Sequence, residues 1–502
     1  MTAGECEDRY ERELVGLVAP PEWINPRPAE RYDLVVIGAG TAGLVTAAGA
    51  AAVGAKVALV EKHRLGGDCL NAGCVPSKAL LSAARTAALV SRAEEYGVHV
   101  PEGVRVDFAR VMERMRRLRA QLARHDSVER FRRLGVDVYL GRASFTPGGE
   151  AVCVGEARLR FRKAVLCTGA RPAVPPIPGL AHAGFLTNET LFSLPELPRR
   201  LAVIGGGPIG CEMAQAFARF GSQVTLYELG PRLLPRDLEE AAARVAAALR
   251  RDGVDILTGA AVREVRKGAA GHTIVATVGD RTDERPCDEI LVAVGRTPNV
   301  EDLHLDAAGV AVDPGGVRVD DFLRTTHRRI YAAGDVCFPA RFTHAADSLA
   351  RIVIRNALFF GRARASRLLI PWCTYTSPEL AHVGWRPDEA QQRGLRVQTL
   401  RQELREVDRA VLDGEEEGFV ELYLRGGSDR ILGATIVAAH AGELIGEVAV
   451  ALQHGVGLKG IGATIHPYPT QAEALRRLGD QYQRTRLTPW VRRLLRGMLR
   501  FN

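Results

Sequence analysis

Two cysteines stand five positions apart in Gly66-Gly67-Asp68-Cys69-Leu70-Asn71-Ala72-Gly73-Cys74-Val75-Pro76-Ser77-Lys78. Glycines bracket the pair, and a run rich in Ala and Leu follows. Pro76 suits the first turn of a helix, where a missing N–H costs nothing. Cys74 is therefore expected at a helix N-terminus, where aligned backbone N–H groups favour a thiolate. That placement suits a redox pair. A structural staple would need neither the Pro-Ser-Lys helix start nor the upstream glycines.

The elements that must position this pair are written in the rest of the chain. Its 502 residues predict two to four domains. Hydrophobic content is ordinary for a soluble globular protein. The 67 Lys and Arg outnumber the 59 Asp and Glu, giving +8, and the last twenty residues carry much of that excess. A basic balance raises nucleic acid and anionic membrane as partners. Residues 106–134 read as a helix with Phe108, Val111, Met112, Met115, Leu118 and Leu122 on one stripe and arginines elsewhere. That is a packed helix with a solvated face, so no nucleic-acid partner is expected. Nine cysteines at irregular spacing make no disulfide framework. Those at 6, 153, 167, 211, 287, 337 and 373 are read as small core hydrophobes. No signal pattern and no membrane-spanning run is found, so a cytoplasmic protein is expected.

Residues 1–30 show no periodicity and are read as an extended arm. Residues 32–37 form a buried parallel strand by their apolar run. Gly38-Ala39-Gly40-Thr41-Ala42-Gly43 follows, then an Ala-rich helix, then a strand at 56–60 ending in Glu61. Strand, GxGxxG, helix, strand and acid make a dinucleotide fingerprint. Its glycines admit a pyrophosphate at the helix N-terminus, and Glu61 would accept from a ribose hydroxyl. The pattern repeats at 201–204, Gly205-Gly206-Gly207-Pro208-Ile209-Gly210, and a strand at 223–227 ending in Glu228. Two dinucleotides are implied. An acid at 228 repels a 2′-phosphate, so NADH is expected ahead of NADPH, with Arg232 nearby as a counterweight.

Further strands are read at 163–167, leading into Thr168-Gly169, and at 290–294, leading into Gly295-Arg296-Thr297-Pro298-Asn299. Residues 326–335 form a strand ending in Gly334-Asp335, and a helix covers 345–360. The character changes at Pro371. Alternating strands at 374–383, 396–400, 419–424 and 431–437 precede helices near 442–454 and 471–479, an α+β domain.

With these motifs in this order the chain resembles the flavin-dependent pyridine nucleotide–disulfide reductases, the group of lipoamide dehydrogenase, glutathione reductase and mercuric reductase. The resemblance spans all but the N-terminal arm and the tail. It implies an α/β fold of two Rossmann-like dinucleotide-binding domains with a C-terminal α+β dimerisation domain. The implied division is FAD-binding at 31–180 and 297–368, NAD(P)-binding at 181–296, dimerisation at 369–485 and a tail at 486–502. It implies FAD held by Gly38, Gly40, Gly43, Glu61, Lys62, Gly67, Thr168, Gly169, Asp335 and His344, and NAD(P)H held by Gly205, Gly207, Gly210, Glu228 and Gly295. By the same resemblance Cys69 exchanges with substrate, Cys74 touches the flavin, and Lys78 pairs with Glu212 near the flavin's reactive nitrogen. No metal ligands are implied, and a homodimer is.

Two departures bear on substrate. The family's disulfide reductases place a His five residues before a Glu as general acid–base. Here His466-Pro467-Tyr468-Pro469-Thr470-Gln471-Ala472-Glu473 puts Tyr468 at that place, with His466 two residues earlier. Mercuric reductases also carry Tyr there, but no cysteine follows Cys373 to supply their C-terminal pair. Asp68 stands where the family often has a hydroxyl residue near the FAD phosphates. The resulting expectation is an oxidoreductase passing electrons from NADH through FAD and Cys69–Cys74 to a disulfide or a soft metal ion. Dihydrolipoamide-type oxidation toward NAD, and a redox-sensing or membrane-docked binding protein, are the alternatives. In the tail Thr488-Pro489 reads as a helix start. Trp490, Val491, Leu494, Leu495 and Met498 lie on one face and Arg492, Arg493, Arg496 and Arg500 off it. That face packs either on the protein or its dimer mate, or in an anionic membrane interface.

Overall fold

A computed structural model describes residues 9–268 and 271–500. The first fingerprint builds a parallel sheet in the order 136–140, 57–61, 32–37, 157–166 and 330–332. Its central strand, Tyr32–Ile37, is buried along nearly its whole length, as its continuous apolar run requires. An antiparallel extension adds 151–154 and 143–145. The second fingerprint builds a smaller parallel sheet in the order 255–258, 223–228, 200–204, 289–292, flanked by an antiparallel three-stranded sheet. The pair Ala170–Pro172 and Arg296–Pro298 carries the chain between the two units. The C-terminal unit is a five-stranded antiparallel sheet backed by Ala441–His454 and Glu473–Arg486. The fold is α/β with two Rossmann-like domains and a C-terminal α+β domain.

The extended arm expected at 1–30 is in part a helix. Residues 1–8, Cys6 among them, lie outside the described residues. Arg9–Val18 is helical, with Leu14 and Val18 fully buried against Phe108–Ala123. Glu11 pairs with Arg64 at 2.6 Å and with Arg119. Tyr10, Leu14, Leu17 and Val18 stand at helical spacing on its packed face, so the period is present in the sequence and the expected extended arm overlooks it. The chain after it runs along the sheet edge, where Asn25 exchanges hydrogen bonds with the backbone of Leu140 at 3.0 and 2.8 Å. That covers an otherwise open strand edge.

Three further expectations change. The helix read through 106–134 is two, Phe108–Ala123 and Val128–Arg133, because Ser127 caps the second by accepting from the Arg130 N–H at 3.3 Å. Leu122 lies outside the buried stripe and is 45% exposed. The strand read at 374–383 is two, Trp372–Thr374 and Glu379–Gly384, separated at Ser377-Pro378, where proline has no N–H for a ladder. The strand read at 326–335 is only Ile330–Ala332. Of the remaining cysteines, Cys167, Cys211 and Cys287 are buried, and Cys153, Cys337 and Cys373 are partly so. No helix among the described residues is long and apolar enough to cross a membrane.

Because Leu14 is enclosed and Leu122 is not, truncating them should differ sharply. Leu14→Ala is expected to destabilise by about 2–4 kcal/mol, while an exposed site such as Leu122→Ala costs about 0.5 kcal/mol or less. Urea unfolding of the FAD-loaded protein reads both.

Candidate active site

Both glycine loops sit where a parallel strand hands over to a helix, at the carboxyl ends of the strands. A Cβ on Gly43 would collide with the Gly38 carbonyl, and one on Gly210 with the Gly205 carbonyl. Gly38 and Gly205 have φ of 98° and 112° and press on the carbonyls of Cys167 and Ala293. The middle glycines differ. A Cβ on Gly207 would meet nothing within 4 Å, and one on Gly40 only the Gly67 backbone at 3.7 Å. Outer glycines serve helix–strand packing, and the middle one leaves room for a ligand's pyrophosphate to approach the backbone.

Glu61 and Glu228 occupy equivalent places and do the same work. Glu61 accepts from the Ala39 and His63 N–H groups at 2.7 and 2.8 Å. Glu228 accepts from those of Gly206 and Gly230, both at 2.6 Å. Each carboxylate thus clamps its own glycine loop. Burial pushes Glu61 above the ordinary carboxylate range, partly offset by these N–H donors. Lys62 beside it is exposed.

Asp68 does not stand as a bare anion. It pairs with Arg296, which also donates to the Ala170 carbonyl and approaches Asp335 to 3.8 Å. Burial raises the Asp335 carboxyl, and Arg296 opposes that shift. Buried Nε–H groups of Arg296 and Arg341 have no hydrogen-bond partner among the described residues. Thr168 and Asn299 lock together through two hydrogen bonds, at 2.6 and 2.9 Å, beside Gly169 and Gly295, both at positive φ.

Cys69 lies in the short helix Gly67–Asn71, and Cys74 is the first residue of Cys74–Ser91, as its proline and lysine predict. The two thiols share a proton unequally. Cys74 is lowered to about 6, first by a hydrogen bond from the Cys69 thiol, then by Thr343 and by the Lys78 ammonium. Cys69 is raised, first by that same bond and then by burial. The thiolate therefore resides on Cys74. The Thr343 hydroxyl lies 3.3 Å from its sulfur.

Lys78, one turn along, meets Glu212 at 2.8 Å. Glu212 is buried, and its second oxygen accepts from the Tyr375 N–H at 2.9 Å. The Tyr375 ring lies under the Lys78 ammonium, 4.5 Å from centroid to nitrogen. Gln215 and Arg219, on the same helix face as Glu212, bond the Ser377 backbone and hydroxyl, which fixes the 375–377 segment against the second domain.

The C-terminal residues lie apart from this cluster. Tyr468 is 70% exposed and donates to Asp408 at 2.9 Å. His466 shares hydrogen bonds with the Thr464 carbonyl and with Glu447, each at 3.0 Å. Glu473 pairs with Arg476 and Arg477, so neither Tyr468 nor His466 is bonded to it. His344 bonds the Pro371 carbonyl at 2.6 Å and stacks on Phe342, and its neighbour Thr343 is the residue that reaches the thiol. Thr343, Tyr375 and Arg296 were missed in the sequence. Only Arg296 carried a local signal, the Gly-Arg-Thr-Pro-Asn run after a strand. Among the described residues no group of three or more His, Cys, Asp or Glu could hold a metal ion.

Comparison with known proteins agrees with this geometry. The pyridine nucleotide-disulphide oxidoreductase family model matches residues 32–383, and the family's dimerisation domain matches residues 370–478. The chain belongs to the pyridine nucleotide-disulphide oxidoreductases. It is 34% identical to a mercuric reductase of Staphylococcus aureus over 89% of this chain and 81% of that one. It is likewise 34% identical to a dihydrolipoyl dehydrogenase of Chlamydia muridarum over 88% of this chain and 95% of that one. A solved Cu(II) complex of the HOCl-induced flavoprotein disulfide reductase RclA from Escherichia coli superposes with a TM-score of 0.78 at 29% identity, over 88% of this chain and 98% of that one. Enzymes of this family use FAD and NAD(P)H and act on sulfur groups, and the matched dimerisation domain supports a homodimer. The open middle glycines, the loop-clamping acids and the orphan guanidinium donors beside Asp335 fit two dinucleotides.

The thiol geometry yields a titration. In the reduced protein the Cys74 thiolate should persist down to about pH 6 rather than the ordinary 9 of a thiol. Thr343→Val removes a hydroxyl donor and should move the midpoint up. Ultraviolet thiolate absorbance, taken as the difference from Cys74→Ser, measures it. An unchanged midpoint in Thr343→Val would remove the hydroxyl from the account.

Proposed function

We propose that the protein moves two electrons from NADH to the Cys69–Cys74 disulfide and on to a disulfide or a soft metal ion. The unequal thiol pair carries this reading. Bound FAD would supply the two-electron relay between nicotinamide and disulfide. Two electrons break the Cys69–Cys74 bond, leaving a thiolate on Cys74 and a thiol on Cys69. Lys78, held by Glu212 and Tyr375, places a fixed cation beside the thiolate. Cys74 accepts the Cys69 proton as Cys69 attacks the acceptor. For a disulfide acceptor, one acceptor sulfur leaves as a thiolate and takes up a proton. Cys74, once deprotonated again, attacks Cys69 in the mixed disulfide, which restores the intramolecular bond and releases the second sulfur. For a divalent soft metal ion, Cys69 releases its proton to solvent, both thiolates ligate the ion, and their oxidation back to the Cys69–Cys74 disulfide delivers the two electrons that reduce it.

Direction follows from the acid–base group. Asp408 holds the Tyr468 phenol above its already high range, so at neutral pH Tyr468 stays protonated, able to donate a proton but a poor base. Dihydrolipoamide oxidation needs a base for the incoming thiol, and reduction of an acceptor does not. In the homodimer, resemblance to the family sends Tyr468 and His466 to the partner's thiols. For the donor, Arg232 spends its guanidinium on the carbonyls of Leu234, Pro235 and Asp237 at 3.0, 2.9 and 2.9 Å. Arg232 is thus turned to these carbonyls, and the Glu228 carboxylate repels a 2′-phosphate, which favours NADH.

NADH oxidation by the purified homodimer, tested against lipoamide, glutathione disulfide, coenzyme A disulfide and Hg²⁺, identifies the acceptor. Turnover with the best acceptor should fall about a thousandfold or more in both Cys69→Ser and Cys74→Ser. The reduced protein should show a long-wavelength thiolate–flavin band that Cys74→Ser loses and Cys69→Ser keeps. A band surviving Cys74→Ser would exchange the two roles, and turnover unaffected by either change would remove the pair from the reaction.

Glu228→Arg should shift the NADH-to-NADPH ratio of kcat/KM toward NADPH by about tenfold or more. Absolute rates should fall with both nucleotides, because the Gly206 and Gly230 N–H groups lose their acceptor. A wild-type preference for NADPH would overturn the assignment.

A further inference from the structure

The helix Pro489–Met498 begins with a complete cap: Thr488 accepts from the Val491 N–H at 3.4 Å, with Pro489 at the first position. Nothing in it is buried. The helix before it, Glu473–Arg486, buries Ala474, Leu475, Leu478 and Tyr482 in the C-terminal core. The tail helix therefore does not pack on its own body, which leaves its dimer mate and an anionic membrane interface among the placements its sequence allowed. Trp490 is 70% and Leu499 76% exposed, and Leu494, Leu495 and Met498 are also open to solvent.

At 3.6 residues per turn, Trp490, Val491, Leu494, Leu495, Met498 and Leu499 occupy one half of the circumference. Arg492, Arg493, Arg496 and Arg500 occupy the other. An apolar sector of half the circumference is wider than the stripe of roughly 100° that suffices to seat a helix on a protein core. The opposite face carries one charge type only. From residue 481 onward there are six arginines and no acid. Among the described residues none of Arg492, Arg493, Arg496 and, just past the helix end, Arg500 has a side-chain partner. Four unpaired guanidinium groups beside a broad apolar face call for a surface that is anionic and apolar at once. A bilayer of anionic lipid is such a surface: guanidinium matches phosphate bidentately, Trp favours the headgroup boundary, and acyl chains receive the apolar half. Ten residues lie along an interface and do not cross it.

We propose that the tail helix docks the enzyme on anionic lipid bilayers, Trp490 and the leucines entering the interface and the arginines binding lipid phosphate.

The test uses the full-length, FAD-loaded dimer and sucrose-loaded vesicles of phosphatidylcholine, with and without phosphatidylglycerol. The protein should sediment only with the anionic vesicles, and added salt should weaken binding. Changing Arg492, Arg493 and Arg496 to Gln should weaken it about fivefold per arginine. Trp490→Ser with Leu494→Ser should abolish it, with NADH oxidation and dimer dissociation unchanged in both variants. Equal binding to neutral vesicles, or no binding at low salt, overturns the proposal. So does a Trp490/Leu494 variant that dissociates into monomers, since the apolar face then belongs to the partner subunit.

Discussion

Three parts of the chain meet on one buried carboxylate. Glu212 lies on the helix of the second fingerprint. Lys78, from the helix that begins with Cys74, reaches one of its oxygens, and the Tyr375 N–H, from the start of the C-terminal domain, reaches the other. A buried carboxylate is costly unless both oxygens are bonded, so the arrangement forms complete or not at all. Moving any one domain would strand a charge. Gln215 and Arg219 extend the contact along the same face to Ser377. The constraint that joins the domains is thus the one that sets a cation beside the reactive thiolate.

The proton on the thiol pair follows from that placement. Burial raises both thiols and the Thr343 hydroxyl lowers both, whereas only Cys74 accepts the hydrogen bond between them, begins a helix and has the Lys78 ammonium near it. Two chemically identical side chains are thereby divided into a thiolate and a proton donor. A similar economy governs the glycine loops. Glu61 and Glu228 each bind two backbone N–H groups, so the acid that would greet a ribose also shapes the turn that admits the pyrophosphate. Asp68 is not a bare charge because Arg296 binds it, while Arg296 also spans to Asp335. The charge that looks misplaced in the sequence is one member of a carboxylate–guanidinium–carboxylate row.

What the sequence by itself determined was whatever is written in consecutive residues. Strand 32–37, both GxGxxG turns and their closing acids are local patterns of apolar runs, glycine freedom and spacing, and they predict two Rossmann-like units in order. The helix start at Cys74 is equally local, since Pro76 and the glycines lie within a few residues of it. The tail's two faces follow from helical period alone. Only the tertiary structure decided what depends on residues far apart. Glu212 is 134 positions from Lys78 and Thr343 is 269 from Cys74, so no spacing rule connects them. Resemblance supplied the first pair, and nothing supplied the second. Helix Arg9–Val18 was legible in the period of Tyr10, Leu14, Leu17 and Val18, and only its seat against Phe108–Ala123 depended on the tertiary structure. The exposed flank of Pro489–Met498 could be judged only once the surface around it was known. Local order is set by backbone sterics and period, which neighbours in sequence share. Partner choice is set by packing, in which sequence distance plays no part.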